Sequence, residues 1–290
     1  MAETLIVSSF AKVNMALNVL EKRPGDGYHY VDMIMLPVRL ADTVTLSPAG
    51  TLAVSCTPDV AGPMESNLAY RAAALLRQVT GVAGGADIHI EKVIPVAGGL
   101  AGGSTNAAAV LKGLNRLWNT GLTDDQLVEL AIRLGSDVPF FIAQQPARVQ
   151  GIGERLIPVT VRQPLCLVLA TPPVAKSTGN VYRLFDELER VDRPDVAAMQ
   201  QALAEGHLRG VAECLGNVFE QVMLPRHPEI AAVKEAMLGH GAVGALMSGA
   251  GPTVFGLVAD EEAGRYLAGR LQARGLRTFL TRSVGHEGEG

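Results

Sequence analysis

Long hydrophobic runs are absent from this sequence. The apolar stretches, such as Leu165–Ala170, are strand-sized and fall well short of the ~18 residues a membrane-spanning helix needs, so a soluble chain is expected. Cysteine is scarce: Cys56, Cys166 and Cys214 lie far apart with no CxxC pair, which does not suggest a disulfide framework and fits a reducing cytoplasm. The six histidines form no HExxH motif and no paired His/Cys spacing, so no protein-held metal site is expected. Basic residues do not dominate either: 25 Lys and Arg against 29 Asp and Glu give a net charge of −4, and the cations are scattered singly. A nucleic-acid footprint would gather them on one face. Glu3 and the lack of a basic stretch ahead of Leu5–Val7 argue against a secretory signal.

What is present is apolar enough to fold. Hydrophobic residues make up 48% and charged residues 19% of 290 positions, a globular composition long enough for two domains at roughly 150 residues each. The first ninety residues alternate in short β-rich segments, at 5–7, 14–20, 31–37, 43–46 and 52–56. A helix follows Ser66-Asn67, with Ser66 as its expected N-cap, and 86–90 reads as another strand. Leu111, Leu114 and Leu117 mark a second helix, and Thr123-Asp-Asp-Gln126 opens a third with a capping box, its stripe stopping at Gly135. Beyond residue 150, strands at 165–170, 244–247, 253–258 and 277–280 interleave with helices near 177–190, 194–204, 207–222, 228–238 and 260–273. The pattern predicts an α+β protein with a boundary at the Gln150–Glu154 turn, giving domains 1–155 and 156–284 and a disordered tail at 285–290.

The segment richest in chemistry is Pro95-Val-Ala-Gly-Gly-Leu-Ala-Gly-Gly-Ser-Thr105, between a strand and a helix. Glycines let backbone N–H groups approach an anion, and the first turn of the following helix points its unsatisfied N–H groups and positive dipole end at it. Ser104 and Thr105 add hydroxyls. The spacing is neither a Walker A loop nor GxGxxG, so a turn that merely permits tight packing is the plainer alternative. Gly25-Asp-Gly-Tyr-His29 offers a ring face and an imidazole that suit a ligand base, though taken alone the segment reads first as a surface turn. Asp137 sits beside an apolar run, where desolvation raises a carboxyl pKa unless a cation is near. Lys12, a lone charge in Phe10-Ala-Lys-Val-Asn14, is a candidate cation, although such charges more often lie exposed at strand ends.

Together, Ala11–Asn18 with Gly25–His29, Pro95–Ala108, Leu134–Pro139 and Met247–Gly251 resemble, in order and spacing, the motifs of the GHMP kinase superfamily. The resemblance implies a two-domain α+β GHMP kinase fold, with an N-terminal ribosomal protein S5 domain 2-like domain and a C-terminal ferredoxin-like α/β sandwich. It implies transfer of the ATP γ-phosphoryl group to the 2-hydroxyl of a cytidine diphosphate-linked methylerythritol on the non-mevalonate route to isoprenoids, with Mg²⁺ arriving on ATP. In those terms Asp137 is the base and Lys12 stabilises the ionised acid and the phosphoryl charge. Pro95, Val96, Ala97, Gly98, Gly99, Leu100, Ala101, Gly102, Gly103, Ser104 and Thr105 wrap the ATP phosphates, helped by Asn67 and Lys92. Asn14 contacts the substrate, His29 reads the cytosine edge, and Tyr28 and Tyr182 sandwich its ring. Ala101 and Thr105 depart from the usual Gly and Ser, and Ala101 is tolerable only at negative φ. The resemblance implies neither nucleic acid nor membrane as partner, and it fits monomer or homodimer. A GHMP kinase for a small polyol, amino acid or mevalonate-type substrate would need no base-holding Tyr28 and His29. A non-catalytic nucleotide binder would need neither Lys12 nor Asp137.

Overall fold

Strand alternation disappears where both faces of a strand are covered, as over the middle of the two longest elements of the protein. The computed structural model describes residues 4–25, 27–60, 63–175 and 177–285. Strand β1 runs unbroken over Leu5–Lys22 and β2 over His29–Ala49, joined by a turn in which the Arg23 N–H donates to the Tyr28 carbonyl at 2.6 Å. Every residue from Ala11 to Leu17 is buried, so the four short strands expected at 5–7, 14–20, 31–37 and 43–46 are two continuous ones. Asp26 and residues 286–290, most of the tail expected to be disordered, lie outside the described residues.

The chain packs as two compact units, one of Met1–Ala11, Leu40–Val96 and Ala101–Gln144, the other of Lys12–Arg39, Ala97–Leu100 and Gln145–Gly290. In the first, β3 (Leu52–Thr57) lies parallel to β4 (Gly85–Glu91), which pairs antiparallel with β2 from Thr43 to Ala49. Helix α1 (Leu68–Thr80) packs on α2 (Gly102–Leu117), and α2 on α4 (Val138–Ala143), with α3 (Asp124–Ile132) beside α4. Leu46, Leu76, Ile88, Val110, Leu111 and Leu114 are wholly buried in this unit. Each such side chain contributes about 1.5–3 kcal/mol on leaving water. Gly113 belongs to the close packing of α2, because a Cβ there would collide with Leu46 of β2.

In the second unit β2 pairs antiparallel with β5 (Ala147–Gly151), β5 with β6 (Arg155–Pro158), and β1 parallel with the short β8 (Gly216–Asn217). The Gln150–Glu154 turn joins β5 to β6. A four-stranded antiparallel sheet, in the order β11-β7-β10-β9, is built from β7 (Cys166–Thr171), β9 (Gly244–Met247), β10 (Val254–Val258) and β11 (Arg277–Arg282). Helices α9 (Pro228–Gly239) and α10 (Glu261–Gln272) pack on it, and α5 (Thr178–Asp186) lies against α8 (Glu220–Met223), with α6 (Val196–Glu205) against α7 (Leu208–Glu213).

Two expectations need correction. Asn67, not Ser66, caps α1: its Oδ1 accepts from the Ala69 N–H at 2.9 Å while Ser66 ends a short 3₁₀ turn. The helix expected over 207–222 is broken into α7, β8 and α8. Helix α7 stops at Glu213, and in β8 the Asn217 amide donates to the Met247 and Gly249 carbonyls at 2.7 and 2.8 Å. Asn217 Oδ1 also accepts from the Phe219 N–H at 3.0 Å, a local side-chain bond of the kind that competes with helical continuation.

Candidate active site

In the second unit the centre of the Gly-rich loop meets a buried lysine. Lys12 is 3% exposed, far from the surface position that a lone charge would ordinarily take. Its Nζ donates to Asn14 Oδ1 at 2.6 Å and to the Gly99 carbonyl at 2.8 Å, and its backbone N–H to the Leu100 carbonyl at 3.2 Å. Ser248 Oγ donates to the same Gly99 carbonyl at 3.1 Å, and the Thr253 N–H to Gly98. The glycines of Met247–Gly251 are there for close approach: a Cβ on Gly249 would lie 3.1 Å from Lys12 Nζ and 3.0 Å from the Gly99 carbonyl. Thus Lys12, Asn14, Gly98 and Gly99 come together, with Ser248 as a member that the sequence reading did not single out.

The two ends of the loop belong to the first unit. Pro95 is buried and Val96 is 62% exposed. Helix α2 begins at Gly102 with Ala101 as its N-cap, and this cap makes no side-chain hydrogen bond. No N-cap side chain therefore occupies its first-turn N–H groups, and such groups at a helix start favour negative charge. Ala101 has φ +57°, and Ala97 φ +55°. The expectation of a negative φ at Ala101 fails, at a cost of roughly 1–2 kcal/mol for a left-handed non-glycine residue. The backbone bonds from Lys12 to Leu100 and from the Thr105 N–H to the Ala101 carbonyl flank that residue and hold it.

Lys92 lies beneath this helix start. Its ammonium bonds the Asp42 carboxylate and donates to Asn106 Oδ1 at 2.9 Å, and a Cβ on Gly102 would lie 3.3 Å from it. Asp42 is fully buried, yet nothing in its sequence neighbourhood marked it, since its partners lie 50 and 64 positions away. Asn67 is occupied in capping α1. Asp137 is half-buried at the N-cap of α4 and makes no capping hydrogen bond, so its carboxylate is not spent on its own helix.

A second cluster gathers around His29, which is 8% exposed. Its Nε2 meets Asp186 Oδ1 at 2.6 Å, its ring lies 5.2 Å from that of Tyr182, and Phe185 and Phe219 complete the aromatic wall. Burial pushes the Asp186 carboxyl up, but hydrogen bonds from Lys22 and His29 outweigh it and hold the group below its ordinary value. An ionised Asp186 accepts, so Nε2 carries the hydrogen in that bond. Tyr28, by contrast, is 56% exposed. Asp32 is held low in the same manner: burial raises it, and Arg148 and Gln150 more than reverse that.

Within the second unit, a buried cation held on the carbonyl of a Gly-rich loop is a group of the kind that phosphotransferases set against phosphoryl charge. Residues 67–145 match the GHMP kinases N-terminal domain and residues 199–275 the GHMP kinases C-terminal domain. The chain is 57% identical over 280 residues, 96% of its length and 99% of the relative's, to 4-diphosphocytidyl-2-C-methyl-D-erythritol kinase of Symbiobacterium thermophilum. It is 45% identical to the protein of that name from Pelotomaculum thermopropionicum, across 94% and 96% of the two chains. A crystal structure of 4-(cytidine 5'-diphospho)-2C-methyl-D-erythritol kinase superposes with a TM-score of 0.83 at 34% identity, over 97% of this chain and 100% of that one. The chain belongs to the 4-diphosphocytidyl-2-C-methyl-D-erythritol kinase family of the GHMP kinases.

Proposed function

We propose that the protein transfers the γ-phosphoryl group of Mg·ATP to the 2-hydroxyl of 4-diphosphocytidyl-2-C-methyl-D-erythritol in the cytoplasm, releasing ADP. The observation that carries the chemistry is the Lys12 ammonium, buried and fixed on the Gly99 carbonyl. In a site with little water such a cation stabilises charge on the transferring phosphoryl oxygens far more than it could in bulk solvent. Asp137 takes the hydroxyl proton. The ATP phosphates lie on Pro95–Thr105 against the α2 N-terminus, and Lys92 serves them from beneath. Asn14 orients the alcohol, His29 reads the base, and Tyr182 and Tyr28 cover its ring. Mg²⁺ would be held by the ATP phosphates, water and the Ser104 hydroxyl. There it would neutralise charge on the β- and γ-phosphates.

The test is ADP release from Mg·ATP, comparing the cytidylated substrate with the same polyol phosphate lacking the cytidine group. Turnover of the cytidylated compound alone is expected, and turnover of neither, with ATP still bound, would overturn the reading. Asp137→Asn should cut kcat ~10²–10⁴-fold while the ATP dissociation constant stays within about threefold. Near-normal turnover would remove Asp137 from the chemistry.

A further inference from the structure

We propose that Asp42 is a positioning residue for nucleotide: it braces both ends of the Gly-rich loop and fixes the Thr105 hydroxyl as a hydrogen-bond donor toward a phosphate oxygen. The inference rests on the reading of this loop as the ATP site. Asp42 Oδ1 accepts from the backbone N–H groups of Val93 and Ile94, at 2.7 and 2.8 Å, just before the loop. Its Oδ2 accepts from the Lys92 ammonium and, at 2.9 Å, from Asn106 Nδ2 in the first turns of α2. Four donors meet one carboxylate with no exposed surface, about the full capacity of the group.

The direction of every bond beyond it is then determined. Lys92 can only donate, and it donates to Asn106 Oδ1 at 2.9 Å, so the amide must present Nδ2 to Asp42 and to Ser9 Oγ, the latter also at 2.9 Å. Ser9, having accepted, donates its own hydrogen to Thr105 Oγ1 at 3.1 Å. Thr105, having accepted in turn, has its hydroxyl hydrogen left to give. At the first turn of α2 the matching acceptor is an anionic oxygen. Asp42 touches no ligand in this scheme; an acceptor-only carboxylate sets the polarity of a chain that ends at the phosphate.

The experiment uses the isosteric Asp42→Asn, whose amide can donate as well as accept and so scrambles that polarity at constant volume. Steady-state kinetics with both substrates and direct titration with Mg·ADP are measured for it, for Thr105→Val and for the double variant. Asp42→Asn should raise KM for ATP at least tenfold with KM for the alcohol within twofold, and the double variant should be no more than twofold worse than Thr105→Val. A role confined to stability would lower the active fraction and hence kcat with KM unchanged. That result, a KM for ATP within twofold of the parent, or effects that multiply in the double variant would each overturn the proposal. If Asp42→Asn does not fold, Ser9→Ala breaks the chain without burying an unpaired charge and decides the question by the same criteria. A parent protein that binds no Mg·ADP would instead refute the kinase reading of the loop.

Discussion

Asp42 and Asp186 each accept from a lysine and hold a residue that the kinase reading assigns to a ligand, Lys92 in one case and His29 in the other, but only the first is sealed from water. The Asp42 side chain is 0% exposed and that of Lys92 9%, whereas Asp186 is 27% exposed and its lysine partner Lys22 55%. The same pair of charges thus works in two regimes. In a sealed site the loss of one partner leaves the other without solvent to compensate it. At a half-open site water and salt make up much of the difference. On the kinase reading, the residue assigned to nucleotide is thus braced by groups the fold depends on, and the residue assigned to the base by groups it can lose.

The largest test of that contrast is Asp42→Ala, expected to cost about 3–5 kcal/mol by stranding the Lys92 ammonium. At roughly 2–4 °C per kcal/mol for a chain of this size, melting should drop by about 6–20 °C. Asp42→Leu/Lys92→Met should recover more than half of the loss in denaturant titrations, and no recovery would mean that the stranded charge is not its source. Asp186→Asn should cost no more than about 1 kcal/mol while raising KM for the cytidylated substrate about three- to tenfold and leaving that for ATP alone. An equal rise in both constants would break the assignment.

Acid gives a third test. Asp186 and Asp32 have folded pKa values below their unfolded ones, so their stabilisation is complete above an unfolded value of about 3.9 and is lost as pH falls through the folded values. Stability should hold steady from neutral pH to about 5 and fall below about 4, with a shallower fall in Asp32→Asn/Asp186→Asn. An unchanged acid limb in that variant would contradict the sign. Smallest is Ala101→Gly, expected to add about 0.5 kcal/mol by relieving a positive φ, less the glycine entropy. A loss of stability would show that the Ala101 methyl is needed there.

What could be read from the sequence was what is local. The Thr123–Gln126 capping box forms as expected, with Thr123 Oγ1 accepting from the Gln126 N–H and Gln126 Oε1 accepting from the Thr123 N–H, and β9 has the bounds anticipated for it. The kinase motifs were legible because each is a contiguous run. The helix α4 was not, since six apolar residues carry no period that separates a helix from a buried strand. Asp42 and Asp186 were invisible for another reason: each is a single acid in an ordinary segment, and what gives it a role is a partner 50 to 157 positions away. Asn217 escaped likewise, as its carbonyl partners are 30 and 32 positions on.

The left-handed turns at Ala97 and Ala101 bear on how tightly a phosphate is held. Their conformational penalty is incurred when the polypeptide folds, so on the kinase reading a nucleotide bound here would have little of these segments left to order. Binding to such a preorganised cradle should carry only a small entropic loss from the protein, with affinity governed by how fast the phosphate leaves rather than by how slowly the loop closes.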